Sequence, residues 1–313
     1  MVGDSTPVIV GPTAVGKTAV AVALAAYLPL EVISADSRQV YRGLDVGTAK
    51  PTRRERAAVP HHGLDLVRPG ERYGAGRFAR DAERWLAEIR ARDRLPIVVG
   101  GTGLYVRALA EGLFAEPSLD PERRRALERW TTGLPPGELV RWASRLDPAY
   151  AGGGRQRAAR AVEIALLTGR PLSAWQAAAR HDATLSPWYV RLTVPRPVLH
   201  QRILHRARQM VQQGLIEEVA AALADGAPPG TAGLDGVGVR EAAHYLLHGG
   251  DRAEVADAIA ISTRQYAKRQ ETWFRHQLPG EVLVLDATRP AHELAAEIAA
   301  RWAARQHGSG QPA

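Results

Sequence analysis

Residues 11–18 of the 313-residue chain, Gly11, Pro12, Thr13, Ala14, Val15, Gly16, Lys17 and Thr18, reproduce the Gly-x-x-x-x-Gly-Lys-Thr spacing of a phosphate-binding loop. Backbone N–H groups of such a loop wrap phosphate oxygens, and the N-terminus of the following helix adds partial positive charge. Lys17 would neutralise terminal phosphate charge, and Thr18 would offer its hydroxyl to Mg²⁺. The expected ligand is a di- or triphosphate held with that ion. A ligand-free glycine turn ahead of a helix is the plainer reading. It fits less well, because an apolar strand (Pro7 to Val10), the loop and an Ala/Val/Leu helix (Ala19 to Leu28) follow in register. The loop leaves open which bond is broken.

Three further segments could do chemistry. Ser34-Ala-Asp-Ser-Arg-Gln-Val-Tyr41 follows a second apolar strand, Glu31 to Ala35, and puts the carboxylate of Asp36 at a strand end. Near bound phosphate such an acid could ligate Mg²⁺, act as a general base, or cap the next turn; the residues alone favour none of the three. The following Arg42 to Pro51 stretch is polar and glycine-containing, like a ligand-facing loop. Gly100-Gly-Thr-Gly103 ends the strand that starts at Arg94; taken alone it reads more readily as strand-to-helix packing than as a site. Thr263 to Arg275 has helical spacing, with Arg264, Lys268 and Arg275 on one face and Tyr266 and Trp273 on another. A solvated basic surface and a phosphate-backbone contact surface are equally good descriptions of it. Arg202 and Arg206 lie one helical turn apart; either could reach a phosphate, although salt bridging is the commoner fate of such side chains.

Alternating strands and helices must position these residues. Helical periodicity from Tyr73 to Arg92 and the strand after Arg94 argue for a parallel sheet with helices on both faces, where ligands collect at the carboxyl ends of strands. From about Glu116 to Pro187 the strands vanish and arginine-rich helices follow, at Pro121–Thr131, Pro136–Leu146 and Arg155–Leu167. A strand returns at Trp188, a helix runs from about Pro197 to Gln213, and a last strand spans Val282–Leu285. The expected fold is α/β: a P-loop NTPase-like parallel sheet core over 1–112 and 188–305, interrupted by an all-helical insertion at 113–187. Residues 306–313 read as a disordered tail.

Composition narrows the classes. The chain has no cysteine, which excludes disulfides and thiolate metal sites. No basic-then-apolar leader pattern opens it, and its longest apolar stretch is 12 residues, so a cytoplasmic protein without membrane association is expected. Forty-one lysines and arginines against 33 acids, net +8, favour a polyanionic partner, with nucleic acid ahead of membrane. Only Lys17, Lys50 and Lys268 are lysines, so each is a candidate for a position that needs a compact ammonium.

Together these segments resemble the tRNA dimethylallyltransferase family, also called adenosine-37 isopentenyltransferases. The matching stretches run from Gly11 to Thr18, Ile33 to Thr52, Pro60 to Leu66, Tyr73 to Ala82, Gly100 to Leu109, Arg157 to Ser173, Arg202 to Met210 and Thr263 to Arg275. Ala-Asp-Ser-x-Gln-Val-Tyr and Arg-Gln-x-Ala-Lys-Arg-Gln are far more specific than the phosphate loop. The resemblance implies transfer of a dimethylallyl group from dimethylallyl diphosphate to N6 of adenosine 37 in tRNA. On that match Asp36 is the general base, Thr102 holds the acceptor, and Arg206 joins the loop and Mg²⁺ on the leaving diphosphate. The acceptor base is flipped into a channel, where Asp36, Ser37, Arg38 and Gln39 contact it together with Thr102. Arg124, Gln156, Arg157, Arg160, Arg240, Arg264 and Lys268 would lie on the side of the anticodon stem-loop. A monomer is expected.

Two positions depart from the family pattern. Val239 stands where many members have tyrosine, and Ala151-Gly-Gly-Gly-Arg155 replaces a more polar turn. The alternatives are a small-molecule P-loop kinase and a nucleic-acid-binding ATPase. Neither early strand after the loop is followed by the Asn-Lys-x-Asp of a guanine-specific GTPase, and the Ile97–Val99 strand ends in glycines rather than the acid an ATPase would use for its metal.

Overall fold

A computed structural model describes residues 5–112, 119–178 and 183–308. The chain divides into two compact units, Met1–Ala110 with Thr184–Ala313, and Glu111–Ala183.

In chain order the first part of the larger unit contains β1 (Ser5–Val10), α1 (Lys17–Leu24), β2 (Leu30–Ala35), α2 (Arg53–Ala58), β3 (His61–His62), α3 (Ala75–Arg90), β4 (Leu95–Gly100) and α4 (Gly103–Glu111). The smaller unit holds α5 (Pro121–Gly133), α6 (Pro136–Leu146), α7 (Arg155–Thr168) and α8 (Leu172–Ala178). The larger unit resumes with β5 (Ser186–Thr193), α9 (Arg196–Gln212), α10 (Leu215–Ala224), α11 (Val239–His248), α12 (Arg252–His276), β6 (Val282–Asp286) and α13 (Ala291–Gly308).

The six strands form one sheet in the order β3-β2-β4-β1-β5-β6, and every pairing is parallel. Every residue of β1 and β2 is buried, so both faces of the sheet centre are covered, as parallel sheets require. The two-residue β3 and the half-exposed β6 form the edges, where short strands offer little template for further pairing.

Register brings the candidate loops together. Gly100 pairs with Val10 on one side and with Ala35 on the other, so β1, β2 and β4 end at one level. The phosphate loop, Asp36 and the Gly100 turn leave the sheet there side by side. The spacing is tight: a Cβ at position 100 would sit 2.1 Å from the Ala35 carbonyl oxygen.

Several details differ from the sequence expectations. Helix α1 stops at Leu24 rather than Leu28, because Ala25, Ala26 and Tyr27 tighten the chain through i→i−3 bonds to the carbonyls of Val22, Ala23 and Leu24. Helix α12 is twice as long as its basic segment suggested; its start is capped by Asp251, whose carboxylate accepts the N–H of Ala253 at 2.8 Å. The expected disordered tail at 306–313 is corrected, since α13 continues through Gln306 to Gly308; 309–313 lie outside the described residues. Among the described residues no helix is long and apolar enough to cross a membrane.

The smaller unit has its own core of Leu139, Ala143, Ala158, Ala161 and Val162. Arg155 closes its fold by donating to the carbonyls of Thr131 (2.7 Å), Thr132 (2.6 Å) and Leu134 (2.8 Å) at the C-terminal end of α5.

Gly100→Ala should destabilise the protein by roughly 3 kcal/mol or more, because two paired backbones must separate to admit the methyl group. Urea unfolding measures this; a loss below about 1 kcal/mol would show that the strand ends are not held together as described.

Candidate active site

The phosphate loop is built on backbone conformations that glycine tolerates best. Gly11 has φ of +151°, and a Cβ there would meet the Leu192 carbonyl oxygen at 2.6 Å; Gly16 has φ of +107° as it enters α1. Ala14, between them, is also left-handed at φ +64°, so part of the loop is strained and must be held in place.

Three contacts hold it. Lys17 arches over the loop and donates to the carbonyls of Gly11 (2.9 Å) and Pro12 (2.8 Å). Arg202 donates to the Val15 carbonyl at 3.1 Å and to the Ala287 carbonyl at 2.9 Å. Gln270 accepts the Thr13 N–H at 2.8 Å through Oε1 and donates from Nε2 to the Gly101 carbonyl at 2.8 Å. Of the two arginines one turn apart on α9, Arg202 therefore supports backbone. Arg206 is half-buried, and no hydrogen bond to its guanidinium is found among the described residues. It faces a cleft of about 750 Å³ with Thr18, Asp45 and Lys50.

On the acid side, Asp36 Oδ1 accepts the N–H of Arg38 at 2.9 Å, which organises the turn after β2. Thr102 Oγ1 accepts the Ser37 N–H at 3.0 Å, and its own N–H donates to the Ala35 carbonyl at 3.1 Å. Asp36 thus sits between two fixed backbone positions. Lys17, Thr18, Asp36, Ser34 and Gln39 share one cavity with the apolar side chains of Ala21, Val32 and Val99.

The electrostatics follow from burial. Removal of the Lys17 ammonium from water lowers its pKa from 10.5 to about 8; the Asp36 carboxylate opposes that shift and Arg206 adds to it. Burial also lowers the pKa of Arg206, again against the attraction of Asp36. Two cations and one carboxylate so arranged leave a positive excess for an anion to neutralise. Burial, then the charge of Asp36, raises the Tyr266 hydroxyl to about 12; this phenol lies against Thr102 and stays protonated.

The other expected contact residues are disposed as follows. Arg38 is ion-paired with Asp235, and Gln39 bonds Ser34 Oγ at 2.8 Å and the Ala49 carbonyl at 3.1 Å. Arg240 is exposed and pairs with Glu241 at 2.7 Å. Along α12, Arg264 is half-buried and Lys268 exposed. In the smaller unit, Gln156 and Arg157 are exposed, while Arg124 and Arg160 both pair with Glu163. Val239 is buried against Gly47, so this position packs a loop rather than reaching solvent.

Sequence reasoning missed four contributors: Gln270, Tyr266, Glu218 and the full role of Lys50. The Glu218 carboxylate accepts the N–H groups of Asp45 (2.6 Å), Val46 (2.7 Å) and Gly47 (2.8 Å). Lys50 Nζ is buried and contacts the Tyr41 carbonyl and Asp45, both at 2.6 Å, and Asp65. The polar 42–51 loop is therefore folded around an internal ammonium and held by Glu218, and it walls the cleft beside Thr18. Gln270 and Tyr266 carried a signal as members of the Arg-Gln-x-Ala-Lys-Arg-Gln stretch, and Lys50 as one of three lysines; Glu218 carried none.

Among the described residues no group of three or more His, Asp or Glu side chains is placed to hold a metal ion. The Thr18 hydroxyl with Asp36 across the same cavity suits a hard cation that takes most of its ligands from diphosphate oxygens and water.

Known proteins resemble this chain in sequence and in fold. The IPP transferase family matches residues 39–277 and the isopentenyl transferase family residues 5–61. A tRNA dimethylallyltransferase of Anaeromyxobacter dehalogenans (strain 2CP-C) is 47% identical over 279 residues, covering 86% of this chain and 91% of that protein. One from Burkholderia thailandensis is 45% identical over 288 residues, 88% of each. The structure is similar to that of the full-length tRNA isopentenylpyrophosphate transferase from Bacillus halodurans (TM-score 0.70, 35% identity, 97% of each chain). It is also similar to a eukaryotic dimethylallyltransferase acting on tRNA (TM-score 0.78, 25% identity, 99% of this chain and 81% of that one). The chain belongs to the IPP transferase family, and it is a prenyltransferase rather than a small-molecule kinase.

With only three lysines in the chain, ¹³C labelling of lysine side chains can follow Lys17 directly. One resonance should titrate near pH 8 in the free protein, and its midpoint should rise above 8 once inorganic diphosphate is bound. Three midpoints all near the ordinary value of about 10.4 would contradict the buried geometry of Lys17.

Proposed function

We propose that this chain transfers a dimethylallyl group from dimethylallyl diphosphate to the exocyclic N6 of adenosine 37 in tRNA, acting as a cytoplasmic monomer. The single observation that carries the reading is the convergence of Lys17, Thr18 and Asp36 on one small cavity at the carboxyl ends of β1, β2 and β4, in a chain of the IPP transferase family.

In this reading the loop from Gly11 to Thr18, with Lys17 and Arg206, takes the diphosphate. Pro12 has no N–H to give and that of Thr13 is held by Gln270, so the donors are the remaining amides of the loop. Mg²⁺ bound through Thr18 supplies further neutralisation of the leaving group. Positive charge on that side lowers the barrier because negative charge grows on the bridging oxygen as the C1–O bond breaks. The N6 lone pair forms the new bond to C1. The N6 proton passes to the Asp36 carboxylate, and the electron pair of the broken bond leaves with diphosphate. Tyr266 and Thr102 border the acceptor side and order it by hydrogen bonding.

An adenine stacked in an anticodon loop must leave the stack to reach Asp36. Ser37, Arg38, Gln39 and Thr102 are the proposed contacts to the flipped base. Arg240, Arg264 and Lys268 are assigned to the phosphate backbone of the anticodon stem-loop. Arg124, Gln156, Arg157 and Arg160 of the smaller unit are assigned to the same RNA. In that assignment Arg124 and Arg160 keep their shared partner Glu163 or exchange it for phosphate.

Radiolabel from dimethylallyl diphosphate should enter unmodified tRNA in the presence of Mg²⁺, and Asp36→Asn should lower turnover by about 10²-fold or more with little change in tRNA affinity. Absence of label in tRNA would overturn the assignment. Normal single-turnover chemistry in Asp36→Asn with lost tRNA binding would reassign Asp36 to positioning.

A further inference from the structure

Gln270 is buried on α12, far in sequence from the two groups its carboxamide bonds. Its Oε1 accepts the N–H of Thr13, in the middle of the phosphate loop, and its Nε2 donates to the carbonyl of Gly101, each at 2.8 Å. The residue after Gly101 is Thr102, whose Oγ1 accepts the N–H of Ser37 at 3.0 Å. Ser37 directly follows Asp36. One carboxamide therefore links the diphosphate cradle to the backbone that fixes the proposed base. Glycine at 101 permits the approach, since a Cβ there would lie 2.3 Å from Nε2.

The chemistry of the side chain suits this place closely. One end must accept and the other must donate, at a fixed separation and in one plane. An ionised glutamate keeps the acceptor and loses the donor. Methionine keeps the length and loses both, which leaves a buried N–H and a buried carbonyl unpaired.

We propose that Gln270 is a positioning residue that sets the distance between the leaving-group cradle and the acid–hydroxyl side of the site. The inference rests on the prenyl-transfer reading above. It goes beyond that reading in assigning the control of this distance to α12. Both ends of the reaction are held by one side chain, so its loss should affect turnover far more than binding. A misplacement of about 1 Å in such a site is worth roughly 10²-fold in rate.

Two measurements on the full chain test it. In Gln270→Met, backbone amides of 11–18 and 100–103 should exchange with deuterium at least about tenfold faster, while the interiors of β1 and β4 stay protected. Single-turnover transfer should fall about 10- to 100-fold, with KM for tRNA nearly unchanged. Unchanged exchange in both loops overturns the clamp whatever the activity.

Gln270→Glu supplies a second, near-isosteric test if the methionine variant does not fold. A protonated carboxyl can accept from Thr13 and donate to Gly101, as the amide does. The single-turnover rate relative to the unsubstituted protein should therefore rise at least about fivefold between roughly pH 8 and pH 6, as the buried carboxyl takes up its proton. A flat ratio overturns the proposal. If the unsubstituted protein transfers no dimethylallyl group, the reaction assignment fails, and amide exchange still decides for or against the clamp.

Discussion

Everything in this site depends on three parallel strands that end at one level. Gly100 is paired to both Val10 and Ala35, and the Ala35 carbonyl leaves no room for a side chain at position 100. Because β4 lies between β1 and β2, the loops that follow all three strands emerge together at the carboxyl edge of the sheet. A phosphate-binding loop, a carboxylate and a hydroxyl-bearing turn are thereby set against one another without any element dedicated to the purpose. The strain at Ala14 is tolerable because Lys17, Arg202 and Gln270 each fasten a different part of the loop.

That arrangement turns a common loop to a less common use. Burial weakens the hold of Lys17 on its proton, and Arg206 points another cation into the same region. Such a site gains most when a strongly anionic group arrives. The same contacts that bind a diphosphate stabilise it better as it departs, since its charge increases along the reaction.

How much of this was legible in the sequence follows from the range of each interaction. The phosphate loop, Asp36 and the buried strands are local patterns, and they stand in the structure where the spacing put them. The choice between Arg202 and Arg206 was not local. Both lie on α9, and only the position of the Val15 and Ala287 carbonyls decides which one is committed to backbone. Glu218 lies 171 to 173 residues from the three amides it receives, and Gln270 lies 257 residues from Thr13. No periodicity reports such contacts. Lys50 stood out as one of three lysines, and the structure makes its ammonium the internal partner of Asp45 and Asp65, where charge type alone had left its use open. The glycine turn at 100 was read as packing, and it is packing; its contribution to the site comes through Thr102, which that packing holds against Ser37.

The central claim is that the phosphate loop holds a leaving group rather than a phosphoryl donor. Product stoichiometry tests it most directly. A single-turnover reaction of enzyme, dimethylallyl diphosphate and unmodified tRNA is quenched at intervals, and inorganic diphosphate, orthophosphate and prenylated adenosine are measured together. The account expects one diphosphate released for each adenosine modified, with matching time courses and no orthophosphate. Orthophosphate formation in step with the modification, or diphosphate release with no modified adenosine, would contradict it.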